Sequence, residues 1–262
     1  MRCPASETLV PELLVRASSG STNAELADLA RERDLATFTT LVTDDQTAGR
    51  GRLDRSWVAP AGSALAISVL VVPRTADGEL PLDRFGWLPI AAGVAMTETV
   101  ADLLPAASVG FKWPNDVLIT GRKVCGVLAE LLPQRGAVVV GAGINLAMTP
   151  AQLPVATATS LAIEGADVDA DTVLAGYLER LRRHVEGYLA GGGDAIAAGL
   201  WARATQLCVT LGRAVRVDLP DGRVIEGTAR ALDADGRLVV DDAEGTAHPV
   251  SAGDVTHVKH AS

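Results

Sequence analysis

The pattern of this sequence changes after Leu207, and that change limits the possible folds more than any other feature. Beyond it, short apolar runs alternate with turn dipeptides, and no helical period is present. The runs are residues 215–219, 224–231, 238–241 and 247–250, and the dipeptides are Asp221-Gly222, Asp235-Gly236 and Glu244-Gly245. This spacing is typical of a small β-barrel of about 50 residues. Because so small a barrel has a limited core, we expect it to dock on the rest of the chain.

The preceding part of the chain mixes helical and strand patterns, so the sequence predicts two domains, residues 1–208 and 209–262. Helices are expected over 22–33, 84–104, 171–190 and 194–204, and strands over 38–43, 63–72, 109–119, 123–132 and 137–143. Thr22-Asn-Ala-Glu25 predicts a capping box at the first helix, and Asp194 is expected to cap the last one. His184 is expected on a helix surface, and Cys125 is expected in the core.

The composition excludes some classes of function. Among 262 residues, 23 Lys and Arg stand against 32 Asp and Glu, a formal charge of −9. This balance argues against a broad basic face that coats nucleic acid. The three cysteines are far apart, which fits a reducing compartment without a disulfide framework. No targeting or bilayer-spanning segment is visible, so we expect a cytoplasmic protein with no membrane or nucleic-acid partner.

The first candidate site is the segment 48–57, where Arg50, Arg52 and Arg55 occur within six positions beside two glycines. Glycine lets a backbone approach a ligand closely, and arginine binds phosphate or carboxylate in bidentate fashion. These features indicate an anion-binding loop. A solvated turn, paired with the nearby aspartates 44, 45 and 54, explains the composition equally well.

The second candidate is Phe111-Lys-Trp-Pro-Asn-Asp116, followed by Gly121-Arg-Lys123. Pro114 within a strand pattern indicates an edge or a bulge. Asp116 and Lys123 could then meet across a hairpin, where lysine would stabilise charge on a phosphate and aspartate would steer or deprotonate an amine. An ordinary surface ion pair is the alternative.

The third candidate is Val138-Val-Val-Gly-Ala-Gly-Ile-Asn145, an apolar run that ends in small residues and leaves room for a flat group. A lone Gly-x-Gly is a weak signal, and the incomplete glycine pattern disfavours a dinucleotide site. No metal-binding set is predicted, because His248, His257 and His260 have no acidic or cysteine partners at ligand spacing.

Taken in order, these segments resemble the motifs of the biotin protein ligases. The matching elements are Ser21-Thr-Asn23, Gln46-Thr-Ala-Gly-Arg-Gly-Arg52 with Trp57, Lys112-Trp-Pro-Asn-Asp116, Arg122-Lys123 with Gly126, and Gly141-Ala-Gly-Ile-Asn145. Several motifs in this order are far more specific than any one alone, and the resemblance covers essentially the whole chain. It implies an α+β fold, a mixed β-sheet with helices on one face, followed by an SH3-like β-barrel.

The resemblance also implies a reaction, its substrates and its partner. ATP would activate biotin to biotinyl-5′-AMP, with Mg²⁺ and protein cations offsetting the repulsion between two anions. Biotin would then pass to a specific lysine of a biotin carboxyl carrier protein domain in a biotin-dependent carboxylase. A closed arginine loop would hold the adenylate and exclude water.

Residue roles carried over from the family fall into three groups. The biotin-binding residues would be Ser21, Thr22, Asn23, Gln46, Gly49, Arg50, Lys123 and Gly126; the nucleotide-binding residues Arg50, Arg52, Trp57, Lys112, Asn115 and Asn145; and the catalytic residues Lys123, Arg52 and Asp116. No protein ligand for a metal is expected. The loop departs from the commonest family form at Leu53-Asp54, which affects its closing geometry but not the charge chemistry of its arginines.

Two alternative functions remain open at the level of sequence. A lipoate-protein ligase shares the fold and adenylates its acid, although the arginine-glycine and Lys-Trp-Pro-Asn-Asp motifs favour biotin. A biotin-responsive transcriptional repressor would carry a winged helix-turn-helix domain before the catalytic core. Because the Ser21-Thr-Asn23 motif begins after 20 residues, we expect the form without that domain.

Overall fold

The computed structural model describes residues 1–52 and 55–258. Its helices are α1 (Pro4–Glu7), α2 (Thr22–Glu32), α3 (Trp87–Leu103), α4 (Ala170–Ala190) and α5 (Leu200–Leu207), with single 3-10 turns at Leu82–Arg84 and Pro133–Arg135. Its strands are β1 (Leu13–Val15), β2 (Thr40–Thr43), β3 (Gly49–Arg50), β4 (Ser56–Trp57), β5 (Ala64–Val71), β6 (Arg74–Thr75), β7 (Gly78–Glu79), β8 (Val109–Lys112), β9 (Asp116–Ile119), β10 (Arg122–Leu132), β11 (Ala137–Asn145), β12 (Ala214–Asp218), β13 (Val224–Leu232), β14 (Leu238–Asp241), β15 (Ala247–Val250) and β16 (Asp254–His257).

The first part of the chain is built on a seven-stranded sheet of order β1-β2-β5-β11-β10-β9-β8. Strands β1 and β2 pair in parallel, and the other neighbours pair antiparallel. The predicted mixed sheet is therefore confirmed. Within the described residues, no helix is long and apolar enough to cross a membrane.

The two faces of this sheet are covered differently, because side chains alternate along a strand. Ile67 and Val69 of β5 belong to the large core that also contains the buried residues of α3, α4 and α5. Leu70 of β5 and Val139 of β11 point to the opposite face and pack with Leu26 of α2. The expected placement of helices on one face thus describes α3 to α5, whereas α2 covers part of the other face.

The C-terminal part forms a five-stranded antiparallel sheet of order β15-β14-β13-β12-β16. Four of its strands match the predicted runs, and β16 is an additional strand. In the described residues β15 and β16 are its two edges and do not pair with each other, so the strand ladder does not close into a ring.

The expected docking of this second sheet is confirmed by three tryptophans of the first part. Trp87, Trp113 and Trp201 each donate an indole N–H hydrogen bond to a backbone carbonyl at the end of β13 or in the connection from β13 to β14. The acceptors are Ala234, Gly236 and Leu232, at 2.8, 2.9 and 2.8 Å respectively. Because buried indole N–H groups need partners, these bonds fix where the second sheet sits.

Several predicted element boundaries are wrong for local reasons. Helix α2 is capped by Ser21, whose hydroxyl accepts from the backbone N–H of Ala24, so the cap precedes the predicted Thr22. Asp194 accepts from the N–H groups of residues 196 and 197, but it caps a turn and α5 begins later, at Leu200. The predicted strand 109–119 is two strands, β8 and β9, because Trp113–Asn115 form a hairpin turn between them.

His184 is mostly buried, with 14% of its side chain exposed, and its prediction as a surface residue is wrong. It lies on α4 and is 2.8 Å from the carboxylate of Glu98 on α3, which also accepts from Arg203 on α5 at 2.6 Å. Burial raises the pKa of Glu98, but the hydrogen bonds from His184 and Arg203 outweigh it and hold the pKa at about 2. This ion cluster ties the three helices together.

Candidate functional site

The site lies on the α2 face of the seven-stranded sheet, where small residues form a flat floor. The strand registers place Gly126 of β10 opposite Gly143 of β11, and Gly143 opposite Ala66 of β5. In the adjacent row, Gly141 lies between Leu128 and Ser68. Since glycine and alanine project almost nothing from the sheet, a cavity remains beside the N-terminus of α2.

A β-bulge brings Lys123 into this cavity. In a regular strand Lys123 and Gly126 would face opposite sides, because they are three residues apart. The pairing of β10 with β9 shifts register between Lys123 and Cys125, which turns Lys123 to the same face as Gly126. A Cβ on Gly126 would lie 2.9 Å from Lys123 Nζ, so the end of the lysine side chain lies directly over the bare glycine.

Lys123 and Asp116 meet across the hairpin as the sequence predicts. Lys123 Nζ lies 2.6 Å from Asp116 Oδ1, and Asp116 is directly opposite Gly126 in the register. The lysine side chain is 45% exposed and the aspartate 19% exposed. The pair therefore stands at the edge of the cavity, where it can reach a bound molecule.

The start of α2 contributes a connected set of polar groups. Gln46 Oε1 accepts from the backbone N–H and the hydroxyl of Thr22, at 2.8 and 3.0 Å. The Ser68 hydroxyl lies 2.8 Å from Thr22 Oγ1 and 2.6 Å from Asn23 Oδ1. Asn23 Nδ2 donates to the carbonyl of Leu128 at 3.1 Å. Because these groups hold one another, they present a rigid polar wall to the cavity.

The arginine loop closes over this wall as a short hairpin in which Gly49 pairs with Trp57. A Cβ on Gly49 would collide with the carbonyl of Trp57 and with Gln46 Nε2, so this position requires glycine. The indole of Trp57 lies against the floor, since a Cβ on Gly143 would be 2.8 Å from its Cε2 atom. Leu53 and Asp54, where the loop departs from the commonest family form, lie outside the described residues.

The three arginines of the loop have different partners. Arg50 contacts the carboxylate of Glu130 at 2.9 and 3.0 Å, and Arg55 forms an ion pair with Asp254 of the second sheet. Arg52 donates to Asn115 Oδ1 at 3.0 Å and to the carbonyl of Gly253 at 3.2 Å. A simple solvated turn would pair these arginines with Asp44 or Asp45, whereas Arg50 and Arg55 pair with distant carboxylates.

Burial and neighbouring charges shift the pKa values of Arg52 and of Asp254, the partner of Arg55. The pKa of Arg52 is lowered, mainly because burial disfavours the charged guanidinium, while the charges of Asp116 and Asp254 oppose that effect. Burial raises the pKa of Asp254, but the hydrogen bond and charge of Arg55 outweigh it and the net direction is down. Arg52 is thus hydrogen-bonded to neutral oxygens and partly shielded from water. Because no carboxylate among the described residues is hydrogen-bonded to it, its guanidinium is suited to binding the anion of a ligand.

This cavity, called the main cavity because most of the predicted site residues line it, holds about 550 Å³ of empty space including its open mouth, the size of a small-molecule site. The predicted site residues that line it are Ser21, Thr22, Asn23, Gln46, Arg50, Arg52, Trp57, Asn115, Lys123 and Gly126. A side cavity shares Trp57, Lys123, Gly126 and Gly143 with it and continues to Asn145.

Four predicted residues lie outside the lining of the main cavity. Gly49 shapes the loop, and Asp116 reaches the cavity through Lys123. Asn145 is buried and donates to the carbonyl of Thr159 at 2.8 Å, at the end of the side cavity. Lys112 is half-buried opposite Asp116, and its charge helps to lower the pKa of Asp254 and of His257, whose own pKa is lowered first by burial.

Sequence reasoning missed two residues of the site, Ser68 and Glu130. Ser68 links Thr22 to Asn23, and Glu130 accepts from Asn23 as well as Arg50. Each is a polar residue that interrupts an apolar strand, and this interruption is the signal that could have identified them.

The arrangement can bring two anions close together. Lys123 and the loop arginines supply positive charge, and the polar wall can recognise an uncharged ring. In the described residues no three His, Cys, Asp or Glu side chains converge as a metal site. Cys125 is no candidate nucleophile, because burial raises the pKa of its thiol to about 12.

Comparisons with known proteins agree with this geometry. Residues 16–145 match the model of the biotin/lipoate A/B protein ligase family, and residues 210–258 match that of the biotin protein ligase C terminal domain. A biotin–[acetyl-CoA-carboxylase] ligase of Mycobacterium tuberculosis is 37% identical over 250 residues, 95% of this chain and 90% of the relative. The bifunctional ligase/repressor BirA of Escherichia coli is 30% identical over 241 residues, 90% of this chain and 71% of the relative.

A solved structure of similar shape is the biotin protein ligase of Aquifex aeolicus in complex with biotin and ATP. It is 27% identical in sequence, with a TM-score of 0.76 over 95% of this chain and 100% of that chain. The match therefore extends over both sheets.

Proposed function

The chain belongs to the biotin/lipoate A/B protein ligase family, and from that premise we propose that it is a biotin protein ligase. It activates biotin with ATP to biotinyl-5′-AMP and transfers the biotinyl group to a lysine of a carrier protein. The acceptor is the biotin carboxyl carrier domain of acetyl-CoA carboxylase, the enzyme named in the M. tuberculosis relative.

One observation carries this proposal: Lys123, Arg50 and Arg52 converge on one cavity that also has an uncharged polar wall. In the first step a carboxylate oxygen of biotin attacks the α-phosphorus of ATP and pyrophosphate leaves. Two anions must approach each other, so cations fixed at the meeting point lower the barrier. Lys123 is the cation nearest the floor, and we assign it the role of stabilising the charge that develops on the phosphate.

The polar wall accounts for recognition of biotin. Its ring would lie on the glycine floor beside Thr22 and Gln46, whose hydrogen bonds are already formed and fix their orientation. Ser21 and Asn23 complete this end of the cavity. A preformed wall costs less ordering free energy on binding than a flexible one.

The nucleotide would occupy the side cavity. Trp57 offers an aromatic face beside Gly143, and Asn145 offers an amide at the far end. Asn115 holds Arg52 at the opening, and Lys112 adds positive charge along β8. In this arrangement the α-phosphate would lie between the two cavities, next to Lys123.

The second step needs a base and a dry site. The acceptor lysine attacks the acyl carbon of biotinyl-5′-AMP and AMP leaves, so its ammonium must first lose a proton. Asp116 is at the right place to orient or deprotonate it, 2.6 Å from Lys123 at the cavity edge. Arg52, held by Asn115 and Gly253, would retain the adenylate phosphate and help to exclude water.

Mg²⁺ fits this site as an ion that the nucleotide carries. The carboxylates at the cavity, Asp116 and Glu130, already pair with Lys123 and Arg50, and the described residues form no carboxylate cage. When bound to the phosphates of ATP, Mg²⁺ would offset their negative charge. The domain boundary at residues 208/209 and the individual roles of the site residues stay predictions.

The proposal is tested by ATP–pyrophosphate exchange with biotin or lipoate as the added acid. We expect exchange that depends on biotin. Exchange with lipoate and none with biotin would make the chain a lipoate-protein ligase, and no exchange with either acid would contradict the adenylation step.

A further inference from the structure

Arg50 and Glu130 form an ion pair that joins the arginine loop to the sheet. Arg50 is on β3, at the mouth of the main cavity, and Glu130 is on β10, on the same face as Gly126 and Leu128. The guanidinium lies 2.9 Å from one carboxylate oxygen and 3.0 Å from the other. The charge of Arg50 at the cavity mouth is therefore already neutralised by a carboxylate.

We propose that Glu130 is an exchangeable counterion, a positioning residue that holds Arg50 at the cavity mouth until the anion of the ligand replaces it. The inference rests on the proposed function, since the anion is then the carboxylate of biotin.

The other contacts of Glu130 keep the free-energy cost of such an exchange low. Asn23 Nδ2 donates to Glu130 Oε2 at 2.8 Å, so the carboxylate keeps a hydrogen bond after Arg50 leaves. The Glu130 side chain is also 29% exposed, and water can solvate the freed oxygen. Leaving a carboxylate without any partner would be costly, whereas this one retains both a donor and water.

Arg50 itself is free to move between the two anions. Its side chain is 51% exposed, and exposed ion pairs contribute little to stability. Arg52 differs, because it is more buried and bound by the neutral oxygens of Asn115 and Gly253. Of the two arginines that line the main cavity, Arg50 is thus the one with a carboxylate to exchange.

The experiment compares Glu130→Gln with the wild-type chain. Glutamine preserves an oxygen that can accept from Asn23 but removes the charge that competes for Arg50. We expect biotin to bind about two- to fivefold more tightly to the variant, the range for a partly exposed ion pair. The uncharged primary amide of biotin should bind equally to both proteins, because it has no anion to exchange. Glu12→Gln is the matched control, since Glu12 pairs with Arg33 at 2.9 Å on another surface.

A double-mutant cycle with Arg50→Met separates exchange at Arg50 from direct repulsion between the carboxylates of Glu130 and biotin. If Glu130 acts through Arg50, the gain from Glu130→Gln should fall below about twofold in the Arg50→Met background. An unchanged gain in that background, equal gains for biotin and its amide, or weaker biotin binding by Glu130→Gln would each overturn the inference. The titration of the wild-type chain distinguishes failure of the proposed function from failure of this inference alone. A wild-type chain that binds no biotin contradicts the proposed function, and with it this inference.

Discussion

Substitution of Gly141 by alanine tests whether the polar wall is what builds the biotin site. The added Cβ would lie within 2.9 Å of Asn23 Cγ and Nδ2 and closer still to Asn23 Oδ1. Asn23 is 5% exposed and cannot move away without breaking its hydrogen bonds to Ser68, Leu128 and Glu130. Overpacking costs about 1–3 kcal/mol, and each lost hydrogen bond adds about 1 kcal/mol.

With one of these hydrogen bonds lost, we therefore expect Gly141→Ala to lower the free energy of unfolding by about 2–4 kcal/mol and to weaken biotin binding by about 10- to 100-fold. Urea unfolding and calorimetric titration with biotin measure the two effects. Gly187→Ala, on α4, is the control, because the added Cβ would meet no atom within 4 Å apart from the neighbouring backbone of the helix itself. Biotin affinity within twofold of wild type in Gly141→Ala would refute the reasoning, even if stability fell, since Asn23 would then support the fold and not the site.

Three further predictions concern charged residues. Lys123→Ala should slow adenylate formation by about 10²- to 10³-fold while weakening biotin binding about tenfold or less, in exchange and binding assays; equal losses in both would remove its catalytic role. Arg52→Gly should speed the release of biotinyl-5′-AMP by about 10- to 100-fold and label lysines of unrelated proteins; unchanged labelling specificity would contradict its retaining role. The lowered pKa of Glu98, about 2, adds stability that is present above the ordinary pKa of 4.5 and is lost as the pH falls toward 2. Glu98→Gln should flatten the pH dependence of the unfolding free energy in that window, and an unchanged slope would show that the contacts of Glu98 with His184 and Arg203 do not stabilise its ionised form.

Much of the site could be predicted from the sequence because its motifs are local. The loop with Arg50 and Arg52, and the pair of Asp116 with Lys123, follow from residue types at short spacing. The position of Lys123 beside Gly126 could not be predicted from strand periodicity, because it depends on a bulge that reverses the alternation. A register shift is decided by pairing with a neighbouring strand and leaves no mark in one segment alone.

Long-range contacts are the other part that sequence reasoning missed. His184 looks like a surface residue on a helical pattern, but in the folded chain it is mostly buried and contacts Glu98 of another helix. Glu130 and Ser68 gain their roles from contacts with Asn23, which precedes them in the chain by 107 and 45 residues respectively. Turn spacing and apolar runs indicate the second sheet, and the resemblance to the biotin protein ligases implies the α+β fold class, whereas these contacts require the assembled sheet.

The most direct test of the proposed reaction is transfer of labelled biotin to a purified biotin carboxyl carrier domain, with ATP and Mg²⁺ supplied or withheld. We predict covalent labelling of one lysine of the carrier, which needs both ATP and Mg²⁺ and is lost in Lys123→Ala. Labelling without ATP, or no labelling of the carrier by the wild-type chain under complete conditions, would contradict this reaction.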